Sequence, residues 1–197
     1  MEKMKSLKYT IYILLVNLLL VSCLGDQKTV IGQEYGDTDF VNDDFTANKK
    51  SFGELPKNLC EFFNEDVIIK EYDNATSVKF NPGKSFMNKN CQFSVTYFND
   101  ESQLIRGSVF VIKENDEDDR WKESWEMRKK RFKSAEYVDN LGMAAIWNGK
   151  KRKLEIKMKG YVVTITVPPK MLSKNKLDDN SDVKNVAVAM AKSSGLF

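Results

Sequence analysis

The chain has 197 residues, 42% of them hydrophobic, which is enough for one domain with a sizeable core. Its 31 lysines and arginines outnumber its 28 acids, which gives a formal net charge of +3. It contains no histidine, which excludes Ser-His-Asp and Cys-His catalysis and removes the commonest ligand of zinc, copper and non-haem iron. Catalysis by paired carboxylates or by a lysine base stays open.

The first 22 residues have the pattern of a secretory signal peptide. Lys3, Lys5 and Lys8 form a basic head, and an apolar run follows from Tyr9 to Ser22. A helix that crosses a bilayer needs about 20 apolar residues. Because this run is shorter and includes polar residues, we expect a cleaved leader rather than a permanent transmembrane helix.

The apolar run ends in Leu20-Val21-Ser22-Cys23, which resembles the lipobox of bacterial lipoproteins. The resemblance implies that a peptidase cuts before Cys23 and that its sulfur carries diacylglycerol, which anchors the mature protein in a membrane of the cell envelope. Leu24 is not the aspartate that retains some lipoproteins in the inner membrane, which favours the outer membrane, facing the periplasm. The alternative is an ordinary signal peptide with a chance cysteine at the cleavage point.

The mature chain is close to electrically neutral. Removing residues 1–22 takes away three lysines and one glutamate, which leaves 28 basic and 27 acidic side chains and a formal charge of +1. This balance gives no general reason to expect nucleic acid as a partner.

Two cysteines remain once Cys23 is taken by lipid. Cys60 and Cys91 form a single pair on the oxidising side of a membrane, where a disulfide is expected. The alternative is two unpaired buried thiols. No metal site is expected, because nothing near the pair completes one.

We divide the chain into a signal peptide over residues 1–22, a flexible tether over residues 23–54 and one globular domain over residues 55–197. The tether is rich in Gly, Asp, Asn and Thr and lacks a sustained apolar period. Scattered apolar residues leave open that part of it packs on the domain as an edge strand. These residues are Val30, Ile31, Tyr35, Phe40, Val41 and Phe45.

The first half of the domain predicts two short helices followed by a β-hairpin. Pro56 suits the first turn of one helix, and Asn64 has the position of a cap for the next. Apolar and polar residues alternate from Phe93 to Tyr97, which is typical of a half-buried strand. A turn near Asn99 leads into its partner strand.

A longer helix is expected to begin near Asp119, because acids precede it and the basic run "RKKRFK" falls near its C-terminal end. Its inner face would hold Trp121, Trp125, Met127 and Phe132. Aromatic residues spaced four apart on such a helix belong to a core more often than to a ligand pocket.

A three-stranded meander and a final helix complete the domain. Asn148-Gly149 predicts a type I′ hairpin turn, since both central residues of that turn need positive φ. Gly160 allows a second reversal, and Ser181 or Asp182 caps the last helix. Its inward residues are expected to be Val183, Val186, Ala187, Met190 and Ala191. The sequence thus predicts a single α+β domain with one disulfide, in which an antiparallel sheet of about five strands has helices packed on one face.

Several short motifs occur in a fixed order along the domain. They are Leu59-Cys60, Cys91-Gln92-Phe93, Leu141-Gly142, Ala145-Ile146-Trp147 and the alanine-rich stretch from Ala187 to Ala191. This order is similar to that of small bacterial lipoproteins of unknown function over about residues 55–197. It departs at Asn140, where glycine is expected, and at Met143, where an acid is expected. The resemblance implies a compact α+β domain whose disulfide ties the first helix to the sheet, and it implies no particular reaction.

Two charged stretches are candidate binding sites. An EF-hand calcium loop needs glycine at its sixth position, and counted from Asp116 in the acidic run over residues 114–119 that position is Trp121, so a solvated connection is expected. Basic residues of the longer helix and the hairpin, if they share a face, would attract an anionic polymer, a lipid headgroup or an acidic protein surface. The candidate residues are Arg128, Lys129, Arg131, Lys151, Arg152 and Lys153. Interleaved acids favour the alternative, a charged face exposed to solvent.

These features favour a membrane-anchored extracytoplasmic protein that binds a protein or an envelope component. We assign no catalytic residue, cofactor or metal, because the chain lacks a Walker loop, a dinucleotide glycine motif, a nucleophile elbow and zinc-ligand spacing. The alternative is a histidine-independent envelope hydrolase that uses carboxylates, which would need a cleft lined by two of them roughly 5 to 10 Å apart.

Overall fold

The computed structural model describes residues 39–42, 44–45, 58–83, 89–114 and 120–197. The predicted signal peptide, Cys23 and most of the predicted tether lie outside these residues, as do Pro56 and residues 115–119 of the acidic run. A compact unit runs from Asp37 to Phe197. Among the described residues, no helix is both long enough and apolar enough to span a bilayer.

The domain begins with two short helical pieces. A single 3-10 turn over Leu59–Phe62, capped by Asn58, stands where the first helix was predicted. Helix α1, Glu65–Glu71, follows Asn64, whose side-chain oxygen accepts a hydrogen bond at 2.8 Å from the backbone N–H two residues on. The cap predicted at Asn64 is therefore confirmed.

An antiparallel sheet forms the centre of the domain. Its strands are β1 (Ala75–Pro82), β2 (Lys89–Tyr97), β3 (Asp100–Lys113), β4 (Ala135–Tyr137), β5 (Ala144–Asn148), β6 (Lys153–Met158) and β7 (Tyr161–Thr166). In the part of the chain that the structure describes, these seven strands lie in the order β1-β2-β3-β7-β6-β5-β4. The α+β class is confirmed, but the expectation of about five strands is wrong, because β1 and β4 add an outer strand at each edge.

Helices cover both faces of this sheet. The C-terminal helix α3 (Lys184–Ser193) and α1 pack with Val163 in the larger core. Helix α2 (Arg120–Arg131) belongs to a second cluster, in which Trp125 packs with Val162. Neighbouring residues of a strand point to opposite faces, so these two cores lie on opposite sides of the sheet. The prediction that the helices pack on one face is therefore wrong for α2.

A small hairpin joins the sheet to the last helix. It consists of β8 (Lys170–Ser173) and β9 (Lys176–Asp178), which pair with each other and not with the main sheet. Gln103 of β3 holds the hairpin turn through two hydrogen bonds of 2.7 Å, one to the backbone N–H of Asn175 and one to its side chain.

The inner faces of the two longer helices follow the predicted periodicity except at Met127 and at Phe132, which lies after the last residue of α2, Arg131, and is half-buried. The residues predicted to face inward on α3 are all buried. The cap position is Val183 and not the predicted Ser181 or Asp182, although the Asp182 carboxylate accepts a hydrogen bond from the Lys184 N–H at 3.0 Å. On α2, Trp121 and Trp125 are buried as predicted, whereas 57% of Met127 is exposed. The prediction for Met127 is wrong because a residue two positions from Trp125 lies on the opposite side of a helix.

The turn between β5 and β6 differs from the predicted type I′ turn, although the two strands do form an antiparallel hairpin. Asn148 is extended, with φ of −114°, and its side-chain oxygen accepts a hydrogen bond from the Lys151 N–H at 3.1 Å. A 3-10 turn covers Gly149–Lys151, and Arg152 adopts the left-handed conformation with φ of 50°. The side chain of Asn148 thus caps the 3-10 turn, and the two-residue type I′ turn does not form.

Residues 39–42 and 44–45 pack against the domain. Phe40 stacks on Tyr137 with ring centroids 4.6 Å apart and meets Trp121 edge-on at 6.4 Å. The Asn42 N–H donates a hydrogen bond to the Met143 carbonyl at 2.8 Å. The sequence left open that part of this segment packs on the domain as an edge strand; the described residues do pack on it, but they form no strand.

The predicted disulfide is confirmed. Cys60 and Cys91 are joined with an S–S distance of 2.02 Å and a Cα–Cα distance of 5.1 Å. Both cysteines are buried, and the bond ties the 3-10 turn at the start of the domain to β2.

Candidate functional site

The charged residues around α2 form two separate arrangements, of which the first lies between α2 and the sheet. Arg128 Nη2 lies 2.6 Å from Glu114 Oε1, and Arg128 Nη1 lies 3.8 Å from Glu155 Oε1. Glu155 also pairs with Lys153 at 3.0 Å. Lys157, whose side chain is fully buried, places Nζ 3.1 Å from Glu114 Oε2. We name these five residues the charge network.

The charge network fixes α2 to the sheet. Lys153, Glu155 and Lys157 alternate along β6 with apolar residues and lie on the face that α2 covers. The Lys157–Glu114 contact is an ion pair without a hydrogen bond. Among the described residues, no donor is oriented to form a hydrogen bond with Glu114 Oε2. Cations also lie over the tryptophan rings of α2, with Arg128 5.3 Å from the centre of Trp125. The sequence separated an apolar face of β6 from a charged one, but it gave no sign that a helix covers the charged face.

The second arrangement consists of four exposed cations and one aromatic ring, at the C-terminal end of α2 and on the turn between β5 and β6. We name it the basic corner, and its members are Arg131, Phe132, Lys133, Lys150 and Lys151. Lys151 Nζ lies 4.1 Å from the centre of the Phe132 ring, and the Arg131 guanidinium carbon lies 5.8 Å from it. The four cations are exposed and Phe132 is half-buried, so two of the cations lie over an accessible aromatic ring and the other two are their neighbours in sequence.

Hydrogen bonds between two turns assemble the basic corner. The Ser134 carbonyl accepts a hydrogen bond from the Gly149 N–H at 3.1 Å, and the Ser134 hydroxyl donates to Asn148 Oδ1 at 3.2 Å. The same hydroxyl accepts a bond from the Lys150 N–H at 3.4 Å. These bonds join the turn after α2 to the turn between β5 and β6, and so place their basic residues side by side.

Within the described residues, no carboxylate forms an ion pair with the four cations of the basic corner. Three of the four acids that the sequence interleaves with them are engaged elsewhere, and the fourth, Glu123, lies eight residues before Arg131 on α2. Glu126 pairs with Lys130, Glu136 pairs with Lys184 of α3, and Glu155 belongs to the charge network. Unneutralised positive charges attract anions over about one Debye length, roughly 8 Å at physiological salt.

The structure brings together only part of the predicted anion-binding face. Arg131 and Lys151 meet at the ring of Phe132. Lys129 lies two residues before Arg131 on α2, and its Nζ is 5.5 Å from the centre of the Tyr137 ring. These three residues are the predicted ones that lie in or next to the basic corner.

The other three predicted residues lie elsewhere. Arg128 and Lys153 belong to the charge network, where both are near Glu155. Arg152 lies towards Tyr72. Burial raises the pKa of the Tyr72 phenol, and the charge of Arg152 partly opposes that rise. These residues therefore contribute little to a common anion site with Arg131 and Lys151.

Two cavities on the domain are lined by carboxylates. The larger, of about 600 Å³, is lined by residues that include Glu61 and Glu65. The smaller, of about 290 Å³, is lined by residues that include Asp39, Asp44 and Asp139. Within the described ranges, no group of three or more acidic or cysteine side chains is arranged to hold a metal ion.

Comparison of the chain with protein-family models, with curated proteins and with solved structures finds no match. The case for a function therefore comes from the geometry of its sites. The charge network is largely neutralised from within, whereas the basic corner presents its charge to solvent.

Proposed function

We propose that this chain is a lipid-anchored protein of the cell envelope that binds an anionic component through its basic corner. The acyl anchor would be on Cys23, and the domain would lie on the periplasmic side of the outer membrane. One observation carries the binding role: two exposed cations lie over the ring of Phe132, two more are adjacent to this group in sequence, and none of the four is ion-paired with a carboxylate among the described residues. A surface that serves solubility alone usually intersperses both signs of charge, as Glu126 and Lys130 do on the same helix.

The disulfide supports the extracytoplasmic part of this proposal. Disulfides form and persist in oxidising compartments and are rare in the bacterial cytosol. Cys60 and Cys91 are joined to each other, which leaves Cys23 as the remaining cysteine of the chain. A single cysteine at the end of an apolar leader suits lipid attachment.

The carboxylates of the domain give less support to an envelope hydrolase. Most glycoside hydrolases need one carboxylate that donates a proton and a second on the other side of the scissile bond. Glu114 and Glu155 share Arg128 as an ion-pair partner, and neither lines either of the two cavities. Glu61 and Glu65 line one cavity and Asp39, Asp44 and Asp139 line the other, but all five are exposed, whereas a general acid is usually set in an apolar pocket. We therefore propose binding rather than hydrolysis.

The binding role can be tested with the mature acylated protein in neutral detergent, with heparin as the anionic probe. We expect Arg131→Gln/Lys151→Gln to bind heparin about 30-fold more weakly, because two lost contacts of about 1 kcal/mol each cost about 2 kcal/mol. The control is Lys174→Gln/Lys176→Gln, which removes the same charge from exposed residues at the β8–β9 turn. An equal loss in both variants, or none in either, would exclude binding that is specific to the basic corner.

The anchor is tested separately by mass spectrometry of the mature N-terminal peptide. We expect this peptide to begin at Cys23 and to carry the mass of a diacylglyceryl group. An unmodified thiol at Cys23 would reject the anchor and leave the heparin result unaffected.

A further inference from the structure

We infer that the anionic component is the headgroup layer of the membrane that holds the anchor, so that the basic corner docks the domain on anionic phospholipid. This inference rests on the proposed function and names the partner of the same site. It is carried by the composition of the basic corner, by the place where the chain enters the domain, and by the length of chain back to Cys23.

The basic corner combines charge with apolar side chains. Phe132 is half-buried between Arg131 and Lys151, and Met127 is 57% exposed. Met127 and Arg131 lie four residues apart and are neighbours on the helix surface. Elements that lie on a bilayer hold cations at the headgroups and apolar side chains at the acyl boundary. Each Lys or Arg near an anionic surface strengthens binding about fivefold, which gives a physical role to charges that the domain does not neutralise.

The N-terminal segment enters the domain next to the element that carries the basic corner. Phe40 stacks on Tyr137, and Lys129 of α2 lies over the ring of Tyr137 at 5.5 Å. Lys129 is two residues from Arg131. The chain that leads back to the anchor is therefore fixed at the flank of α2.

The length of the covalent chain limits how far this flank can lie from the proposed anchor. Asp39 is the first described residue and lies sixteen residues after Cys23. An extended chain spans at most about 3.6 Å per residue, so Asp39 lies within about 58 Å of the anchor by any path. A tether of this length makes docking an intramolecular step at an effective concentration near the millimolar range. A weak site of four cations is sufficient under that condition.

The test uses the acylated mature chain reconstituted in vesicles of phosphatidylcholine, with or without phosphatidylglycerol, and hydrogen exchange read by mass spectrometry. We expect slower exchange at residues 127–133 and 149–152 on vesicles that contain phosphatidylglycerol. Arg131→Gln/Lys151→Gln should weaken the docking equilibrium about 30-fold and abolish this protection. Lys174→Gln/Lys176→Gln should keep it, which separates docking from a general effect of net charge.

The outcomes distinguish this inference from the function on which it rests. Equal exchange on the two kinds of vesicle, with heparin binding still dependent on Arg131 and Lys151, overturns docking and leaves an anionic envelope polymer as the partner. Equal exchange on the two kinds of vesicle, together with heparin binding that does not depend on Arg131 and Lys151, overturns both docking and the proposed binding function. Protection that survives in Arg131→Gln/Lys151→Gln also overturns docking through the basic corner, because other residues then respond to the anionic lipid.

Discussion

Two buried tyrosines show how single side chains couple this fold to pH. Tyr72 and Tyr97 meet edge-on with ring centroids 6.1 Å apart. The Tyr72 hydroxyl donates a hydrogen bond to the Pro168 carbonyl at 2.8 Å, whereas the Tyr97 hydroxyl has no partner among the described residues. Burial raises the pKa of both phenols above the ordinary value of 10.0, and Tyr97 adds to the rise at Tyr72. Both therefore stay protonated in the folded protein.

The pair should make the domain lose stability in alkaline solution. The unfolded tyrosines release their protons above about pH 10, whereas the folded ones retain theirs, so the folded state binds more protons. Stability from this source is complete below that pH and declines as the pH rises above it. We expect the free energy of unfolding to fall by about 1.4 kcal/mol per pH unit for each tyrosine, as measured by urea unfolding at a series of pH values.

Two variants separate the hydrogen bond from the titration. Tyr97→Phe and Tyr72→Phe should each remove one half of this alkaline slope. At pH 7, Tyr72→Phe should lower the free energy of unfolding by about 1 kcal/mol, because it removes the hydrogen bond to the Pro168 carbonyl. Tyr97→Phe should leave that free energy unchanged or raise it, because it removes a buried hydroxyl without a partner in the described chain. An alkaline slope that stays the same in either variant would contradict the pKa argument.

At the scale of elements, the attachment of α2 depends on Glu114. Its carboxylate lies 2.6 Å from Arg128 of α2 and 3.1 Å from the fully buried Lys157 of β6. Removing one charge of a buried ion pair costs about 3 to 5 kcal/mol, since the other charge stays in a poorly solvated place. Glu114 is partly solvated, so we expect Glu114→Gln to cost about 3 kcal/mol, read from urea unfolding at pH 7.

An exposed pair supplies the matched control for this prediction. Glu101 lies 3.8 Å from Lys79, and both side chains are largely in solvent. Glu101→Gln makes the same chemical change and should alter the free energy of unfolding by less than about 0.5 kcal/mol. Similar effects of the two substitutions would mean that the charge network does not hold α2 to the sheet.

The elements that the sequence predicted well are those whose pattern is repeated over several residues. Strands β2, β3, β5, β6 and β7 carry clear alternation or apolar runs, and α3 carries a helical period. Strand β1 was missed because only Val78 is fully buried along it, so its outward face supplies no alternation to recognise. Strand β4 was missed because Ala135–Tyr137 is too short to show a period. Neighbouring strands, rather than local pattern, determine both of these edges.

Turns were predicted less reliably, because tertiary contacts override local preference. Gly160 has φ of 78°, as the predicted reversal requires. Positive φ at two successive residues occurs at Phe98 and Asn99, between β2 and β3, and not at Asn148-Gly149. Asn148 is almost fully buried and bonds to the Lys151 N–H, so its side chain fixes a different turn. A residue pair that favours one turn type in isolation can thus form a different turn when a side chain of the pair makes a hydrogen bond within the folded protein.

The candidate site was predictable in its residue types but not in its distances. The sequence named Arg131 and Lys151 but could not show that bonds of Ser134 to Gly149 bring them to one ring. It also grouped Arg128 with them, since nothing local reveals that Glu114 lies 2.6 Å away in space. Ion pairing between distant residues decides which basic residues remain available, and it depends on the completed fold.

At the scale of the whole molecule, the disulfide joins the start of the described domain to its central sheet. The disulfide connects the 3-10 turn of Leu59–Phe62 to the second strand of the sheet. Leu59 and Cys91 both belong to the larger core, together with residues of α1 and α3. Loss of this bond should therefore lower the stability of the whole domain and not of the turn alone.

The double substitution Cys60→Ala/Cys91→Ala tests this expectation. The bond spans 31 residues of sequence, and closing a loop of this size in the unfolded chain contributes about 3 to 4 kcal/mol of stability in the chain-entropy model. We expect a loss of that size in urea unfolding, with one cooperative transition at a lower midpoint. Wild-type protein treated with a reductant should lose a similar amount, whereas the variant should not respond to it. A variant within about 1 kcal/mol of the wild type would show that the bond adds little to the stability of the domain, since the expected effect is about three times larger.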